Sequence, residues 1–239
     1  MINQNEMSMK QIARIGGLSY LFIIMIGIWG EMFVRGALEV SGDALATATN
    51  IANSLDLWRF SITAEIFLLI FGLILLFVFY RLFSPYSRHG ARLLVFFNLV
   101  SLTIEAVNKL NVLAILVLLS PHETGAVAVA AGVAQQVNFY LSLHSYGFGL
   151  SLVFFGCVCI LLGYLILSSR VLPPLLGWLM PIAGLSYIIN SLAMIVAPNL
   201  SGALFPWILL PPFITESSVC LWLLIKGVKQ EAVTPALKT

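Results

Sequence analysis

The sequence predicts an all-α membrane protein, a polytopic helix bundle with six transmembrane helices and short outer interfacial helices. Of its 239 residues, 60% are hydrophobic, and only 12 Lys or Arg and 10 Asp or Glu are present. A soluble domain of this length would carry about 60 charged residues. Between Thr124 and Ile225 the only charged residues are Arg170 and Glu216, so this stretch cannot form a water-exposed surface. The composition therefore excludes a soluble enzyme, a nucleic-acid-binding protein and a disordered chain.

Each predicted span has the length needed to cross the hydrocarbon core, about 20 mostly apolar residues. The six spans are 11–35, 59–82, 91–119, 140–168, 171–197 and 204–226. Proline marks several span ends, as at Pro85, Pro121 and Pro173-Pro174, because proline cannot donate a helix-interior hydrogen bond. We expect the whole chain, 1–239, to form a single transmembrane domain.

The Lys and Arg residues predict the orientation, because these residues are enriched in cytoplasmic segments. With the N-terminus inside, nine of them fall on the cytoplasmic side: Lys10, Arg14, Arg81, Arg88, Arg92, Arg170, Lys226, Lys229 and Lys238. Only Arg35 and Arg59 fall on the outer side, while Lys109 lies within a span. Both termini are therefore expected in the cytoplasm.

Two connecting segments have helical patterns of their own. After Ser41-Gly42-Asp43, apolar residues recur at helical spacing, which predicts an amphipathic interfacial helix over 43–55. The Ala-rich segment 125–139 is interpreted as an outer helix or as an extension of the fourth span. A seventh span there would place the C-terminal lysines outside, against the charge distribution.

Polar residues inside spans are costly, so each is a candidate functional residue. The candidate ligand-binding residues are Glu31, Arg35, Glu65, Glu105, Asn108, Lys109, His144, Asn190 and Glu216. With the predicted orientation they lie between the midplane and the outer leaflet. We therefore expect a polar cavity in the outer half of the bundle.

Two acid–base pairs stand at i, i+4 spacing, which allows pairing within a helix. They are Glu105 with Lys109 and Glu31 with Arg35, and each is either a structural ion pair or part of a site.

The other ionisable groups, Glu65, Glu216 and His144, have no such local partner. Removing the two local pairs leaves two acids against one weak base. This balance favours a cationic or hydrogen-bond-donating ligand, or carboxyls kept protonated by burial.

A short sequence echo links the first and second spans to the fifth and sixth. Gly17-Leu18-Ser19-Tyr20 recurs as Gly184-Leu185-Ser186-Tyr187, and Ile62-Thr63-Ala64-Glu65 resembles Ile214-Thr215-Glu216. The order is the same in both copies, which indicates a duplicated hairpin or a chance similarity in apolar sequence.

The sequence predicts neither a metal nor a cofactor. It has no Gly-rich phosphate loop, no HExxH and no G-x-S-x-G nucleophile motif. Cys157 and Cys159 are two residues apart, so they point to different helix faces and are not expected to share a metal or form a disulfide. A carboxylate-rich metal site stays open as an alternative.

Several motifs together resemble a bacterial integral membrane family, domain of unknown function 4386. The motifs are Gly30-Glu31-Met32-Phe33-Val34-Arg35-Gly36, Gly42-Asp43-Ala44, Leu143-His144-Ser145-Tyr146-Gly147-Phe148, Leu162-Gly163-Tyr164-Leu165, Leu172-Pro173 with Leu176-Gly177, and Ala183-Gly184-Leu185-Ser186-Tyr187. The resemblance covers about 10–227 and implies a multi-pass protein of the bacterial cytoplasmic (inner) membrane. It marks Glu31, Arg35, His144 and Tyr146 as motif positions, which adds Tyr146 to the candidate ligand-binding residues. An Asp is frequent in the family where Asn190 stands, so the resemblance implies no acid role at this position.

Three functions fit these residues. The first is a protein that binds or moves a small amphiphilic or cationic ligand in the polar cavity, with the lipid bilayer as its surroundings and no nucleic acid. The second is an intramembrane enzyme doing acid/base chemistry, an isomerisation or cyclisation, on a lipid or isoprenoid. Its catalytic residues would be Glu65 or Glu216 as acid and His144 as base.

The third is a structural or regulatory partner of another membrane protein. Gly149, Gly156 and Gly163 recur every seven residues, which permits close helix packing within the bundle or in a homodimer. A solid, paired interior would favour this function over the other two.

Overall fold

The computed structural model describes residues 7–121 and 128–228, and within these ranges the chain is helical, without strands. Six helices are long and apolar enough to cross a membrane: Met9–Leu38, Leu55–Phe83, Arg88–Leu119, Ala131–Ser169, Pro174–Val196 and Trp207–Ile225. The predicted fold class is confirmed. Lys229 and Lys238, which contributed to the predicted orientation, lie outside the described residues.

The first span changes its helical form before it ends. Helix α1 (Met9–Ile28) continues as a π-helix over Trp29–Arg35 and closes with α2 (Gly36–Leu38). In the π-helix the N–H of Gly36 bonds to the carbonyl of Glu31, five residues back. Such segments are rare and frequently occur at functional sites. No pattern in the sequence indicates the π-helix, because its residues also suit an ordinary apolar helix.

The connection between the first two spans contains the helix predicted over 43–55. Helix α3 (Ala44–Ala52) begins where the Asp43 side chain accepts a hydrogen bond from the N–H of Ala46 at 2.8 Å, as N-cap residues do. Ala48 and Ile51 on one face of α3 are fully buried.

Three long helices follow, α4 (Leu55–Phe83), α5 (Arg88–Leu119) and α6 (Ala131–Ser169). Helix α6 has 39 residues, and at 1.5 Å per residue it is about 58 Å long, roughly twice the hydrocarbon thickness. Residues 131–139 therefore extend the predicted fourth span and do not form a separate outer helix. Residues 125–127 of that segment lie outside the described residues.

The last part of the described chain contains α7 (Pro174–Val196), α8 (Pro198–Leu204), a 3₁₀ turn and α9 (Leu210–Ile225). Pro211 and Pro212 lie in the first turn of α9, where a backbone N–H has no partner within the helix. These prolines begin a helix and do not kink one.

The chain forms two compact units. Unit 1 comprises Met1–Phe22, Phe71–Leu102 and Gly149–Thr239, and unit 2 comprises Ile23–Ile70 and Thr103–Phe148. Unit 2 has an apolar core around Trp58, whose indole N–H donates to the carbonyl of Val112 at 3.1 Å.

Unit 1 is closely packed through small residues. A Cβ on Gly156 would lie 2.7 Å from the carbonyl oxygen of Gly184, and one on Gly163 would lie 2.5 Å from Cδ of Pro181. The glycines of the heptad pattern thus contact α7 of the same chain, and they do not indicate a second copy.

Candidate functional site

Five charged side chains of unit 2, Glu31, Arg35, Glu65, Lys109 and Glu105, form one ion-pair network. Arg35 Nη1 lies 2.6 Å from Glu65 Oε1, and Arg35 Nη2 lies 2.8 Å from Glu31 Oε2. Lys109 Nζ lies 2.8 Å from Glu65 Oε2 and 2.5 Å from Glu105 Oε1. Both local pairs expected from the i, i+4 spacing are present. Glu65 joins them, so the sequence-based charge balance that left Glu65 without a cation is wrong.

The helices position Glu65 at the centre of this network. A Cβ on Gly30 would lie 3.3 Å from Glu65 Oε1, so the absence of a side chain at Gly30 makes room for the carboxylate beside the π-helix. The side chain of Glu65 is 6% exposed and that of Lys109 is 9% exposed, whereas that of Glu31 is 63% exposed. The network therefore runs from a buried centre at Glu65 to an exposed end at Glu31.

A neutral contact beside the network joins α5 to α6. The Asn108 amide donates to the carbonyl of His144 at 3.0 Å and accepts from the amide of Asn111 at 2.9 Å. Gly147 leaves the space for this amide, since a Cβ there would lie 2.6 Å from Asn108 Cγ. The His144 side chain is buried, and its Nδ1 has no hydrogen-bond partner among the described residues.

Unit 2 also has a polar cleft of about 160 Å³. It is formed by the connection between α2 and α3, by Thr47 of α3 and by one face of α6. The lining residues are Glu39, Val40, Ser41, Gly42, Thr47, Asn138, Leu141, Ser142 and Ser145. The cleft adjoins the network, because the N–H of Glu39 donates to the carbonyl of Arg35 at 2.9 Å.

Three hydroxyl groups of the cleft already use their protons. Ser142 donates to the carbonyl of Asn138 at 2.9 Å, and Ser145 donates to that of Leu141 at 3.1 Å. Thr47 donates to the carbonyl of Val40. A hydroxyl oxygen that has donated its proton still has acceptor lone pairs. These three hydroxyls therefore offer acceptors to a ligand.

Among the described residues that line the cleft, Glu39 is the only ionisable one. Partial burial removes water from the Glu39 carboxyl and raises its pKa above the ordinary 4.5. The negative charge of Glu31 raises this pKa further. Arg35 acts in the opposite direction and lowers the pKa, without reversing the net rise. At neutral pH the ionised carboxylate would favour a cation beside it.

A second polar cluster lies in unit 1, around Glu216 of α9. The hydroxyl of Tyr20 donates to Glu216 Oε2 at 2.9 Å, and that of Tyr187 donates to Oε1 at 2.6 Å. Tyr20 and Tyr187 are the last residues of the two Gly-Leu-Ser-Tyr segments of the sequence echo. Nearby, the thiol of Cys220 donates to the carbonyl of Gly17 at 3.3 Å.

The predicted site residues are thus divided between the two units. Unit 2 holds most of them: Glu31, Arg35, Glu65, Glu105, Asn108, Lys109, His144 and Tyr146. Tyr146 is 51% exposed, so its side chain is not brought into the network. Unit 1 holds Glu216 and Asn190, and the amide oxygen of Asn190 accepts from Ser201 at 3.4 Å. Among the described residues, the ion-pair network and the Glu216 cluster have different partners.

Sequence reasoning did not select several residues of these sites. Tyr20 and Tyr187 were part of the sequence echo, and Ser145 was part of a family motif, but none was assigned a binding role. Glu39 follows the first predicted span and was not a candidate, although an acid four residues after Arg35 is a usable signal. Within 7–121 and 128–228, no group of three or more His, Cys, Asp or Glu could hold a metal ion.

Comparison with known proteins gives one match. The model of the family described as Domain of unknown function (DUF4386) matches residues 15–227, in agreement with the resemblance found in the motifs. No curated protein and no solved structure matches the chain.

Proposed function

The chain belongs to this family, whose description assigns no activity, and from its own residues we propose that it binds a small primary ammonium ligand in the polar cleft of unit 2. The observation that carries the proposal is the chemistry of the lining. Glu39 supplies a carboxylate, and Ser142 and Ser145 supply oxygens whose protons are already used. A primary ammonium group has three donors and no acceptor, so it complements this lining.

The charge of unit 2 supports a cationic ligand. Its described residues include six acids, Glu31, Glu39, Asp43, Asp56, Glu65 and Glu105, against three bases, Arg35, Arg59 and Lys109. An excess of one sign in a confined site raises the local concentration of a ligand of the opposite sign. The cleft volume of about 160 Å³ is below the range of drug-sized ligand pockets. These facts favour a small cation, with its apolar part beside Val40 and Leu141.

The ion-pair network has a supporting role in this proposal. Glu65 contacts two cations, and each of these cations contacts a second carboxylate. A paired interior of this kind favours a structural function for the network itself. It holds the carbonyl of Arg35, which accepts from the N–H of Glu39, and thereby fixes one wall of the cleft.

The alternative function, acid/base chemistry on a lipid or isoprenoid, receives less support. It requires Glu65 or Glu216 to act together with His144 on one substrate. Glu65 is held between two cations, an arrangement that favours a structural ion pair over a general acid.

The proposal is tested by the thermal unfolding of the detergent-solubilised protein in the presence of n-butylammonium. A ligand that binds only the folded state at 100 times its Kd adds about 2.7 kcal/mol of stability, so the melting temperature should rise by several degrees. The Glu39→Gln variant should lose this rise, and n-butylsulfonate should produce none with either protein.

Asp56→Asn is the matched control, since it removes another acid of unit 2 that lies outside the cleft and pairs with Arg59 at 2.9 Å. This variant should keep the response to n-butylammonium. An equal response in the Glu39→Gln variant, or none in the unsubstituted protein, would refute the proposal. Butyltrimethylammonium, which has the charge without the donors, should raise the melting temperature less. Uptake of labelled butylammonium by proteoliposomes would distinguish movement of the ligand from binding alone.

We also infer that the protein resides in the bacterial cytoplasmic membrane with both termini inside. This proposal is supported by the basic residues near the predicted inner helix ends and by the family resemblance. Labelling of single cysteines introduced at Ser84 and Ser41, in the first inner and outer connections, tests it. A membrane-impermeant maleimide should react from outside the cell with the second position and not with the first.

A further inference from the structure

The described part of unit 1 contains seven Lys or Arg residues and one acid, Glu216. Glu216 accepts hydrogen bonds from Tyr20 and Tyr187, and it forms no ion pair with a described residue. None of the seven basic residues forms an ion pair within the described ranges. The positive charge of unit 1 therefore has no partner in the described part of the protein.

Several of these basic residues lie at one end of unit 1. Arg81 is in the last turn of α4 and Arg88 is the first residue of α5, and a short turn joins the two helices. The start of α5 packs on the end of α6, since a Cβ on Gly90 would lie 2.9 Å from the side chain of Leu165. The polar end of α5 is thus fixed in place and carries unpaired positive charge.

A groove of about 290 Å³ runs along α4 and α5 from this end of unit 1. Its walls are mainly apolar, with Leu73, Phe77 and Tyr80 from α4 and Val95 and Phe96 from α5. Arg92 also lines the groove, one turn after Arg88 on the same face of α5. Leu73, Phe77 and Phe96 are about half exposed or more, as expected of a surface in contact with lipid.

We propose that this groove binds an anionic phospholipid, with one acyl chain along the apolar walls and the phosphate at Arg92. A guanidinium group matches phosphate oxygens with paired donors, and basic pockets beside membrane helices favour acidic headgroups. The net negative charge of the lipid complements Arg92, which forms no ion pair with a described residue and belongs to a unit whose only described acid is Glu216. A zwitterionic phospholipid has the same chains but carries its own cation, and it is bound less tightly. This lipid site is independent of ammonium binding in unit 2.

Native mass spectrometry of the full chain tests the proposal, with equal amounts of phosphatidylglycerol and phosphatidylcholine of identical acyl chains. The unsubstituted protein should retain phosphatidylglycerol preferentially. Arg92→Gln should weaken this retention about fivefold, the effect of one basic residue near a lipid surface. Val95→Trp, which fills the groove without a change in charge, should also weaken it.

Arg14→Gln is the matched control, because it removes an exposed basic residue of unit 1 that does not line the groove. Phosphatidylglycerol retention should be nearly unchanged in this variant. Three results would overturn the proposal: equal retention of the two lipids, equal losses in the Arg14 and Arg92 variants, or full retention in the Val95→Trp protein. Size-exclusion profiles and melting temperatures without added lipid show whether each variant is folded, and Arg92→Lys, which keeps the charge, should retain most of the preference.

Discussion

Replacement of Glu65 by Gln should destabilise the protein by about 3 kcal/mol. The carboxylate of Glu65 bridges Arg35 at 2.6 Å and Lys109 at 2.8 Å, and the three side chains are 6%, 17% and 9% exposed, respectively. Removal of one partner from a buried ion pair costs about 3–5 kcal/mol. The lower end applies because each cation keeps a second carboxylate, Glu31 for Arg35 and Glu105 for Lys109.

The measurement is reversible unfolding in mixed micelles, in which the fraction of a denaturing detergent is raised and the free energy of unfolding is extrapolated. Asp56→Asn is the control, because its pair with Arg59 is 94% and 39% exposed and should contribute less than about 1 kcal/mol. A double-mutant cycle with Lys109→Met should give a coupling energy of about 1–3 kcal/mol. If Glu65→Gln costs no more than Asp56→Asn, Glu65 is not the buried centre of the network.

Three further predictions concern the α5–α6 contact, the Glu216 cluster and the cleft. Gly147→Ala places a Cβ 2.6 Å from Asn108 Cγ and should lower the free energy of unfolding by about 1–3 kcal/mol through overpacking. The control is Gly132→Ala on the same helix, whose Cβ meets no atom within 4 Å. This control should be neutral or stabilising in the same unfolding assay. Tyr187→Phe removes the 2.6 Å hydrogen bond to Glu216 and should cost about 1–3 kcal/mol; an unchanged free energy of unfolding would show that this contact contributes nothing. The pKa of Glu39 is raised above 4.5, so acidification should protonate it, and abolish stabilisation by butylammonium, at a higher pH than for an ordinary glutamate. The measurement is the melting temperature with and without butylammonium from pH 8 to pH 4. A response that persists to the lowest pH would contradict this prediction.

The sequence was sufficient for those features that depend on one helix. Apolar stretches and prolines predicted the six spans, and the i, i+4 spacing predicted that Glu105 pairs with Lys109 and Glu31 with Arg35. The N-terminal extension of α6 was one of two interpretations, because an Ala-rich segment suits both a separate helix and a continuous one. These are local properties, and helical periodicity expresses them directly.

The contacts between helices could not be obtained in the same way. Glu65 is 30 residues from Arg35 and 44 from Lys109 in the sequence. The sequence alone does not indicate how the helices pack, so it does not indicate which distant cation Glu65 contacts. The same holds for Glu216, whose partners Tyr20 and Tyr187 come from two other spans. The cleft depends on the backbone path between α2 and α3, which periodicity does not specify.

The most direct test of ammonium binding is the location of the ligand in an experimental structure. Crystals grown with 3-bromopropylammonium and measured at the bromine absorption edge would mark its position by anomalous scattering. The proposal predicts a bromine peak in the cleft, with the ammonium group at Glu39 and near Ser142 and Ser145. A peak at another site with this cleft empty, at a concentration that stabilises the protein, would contradict it.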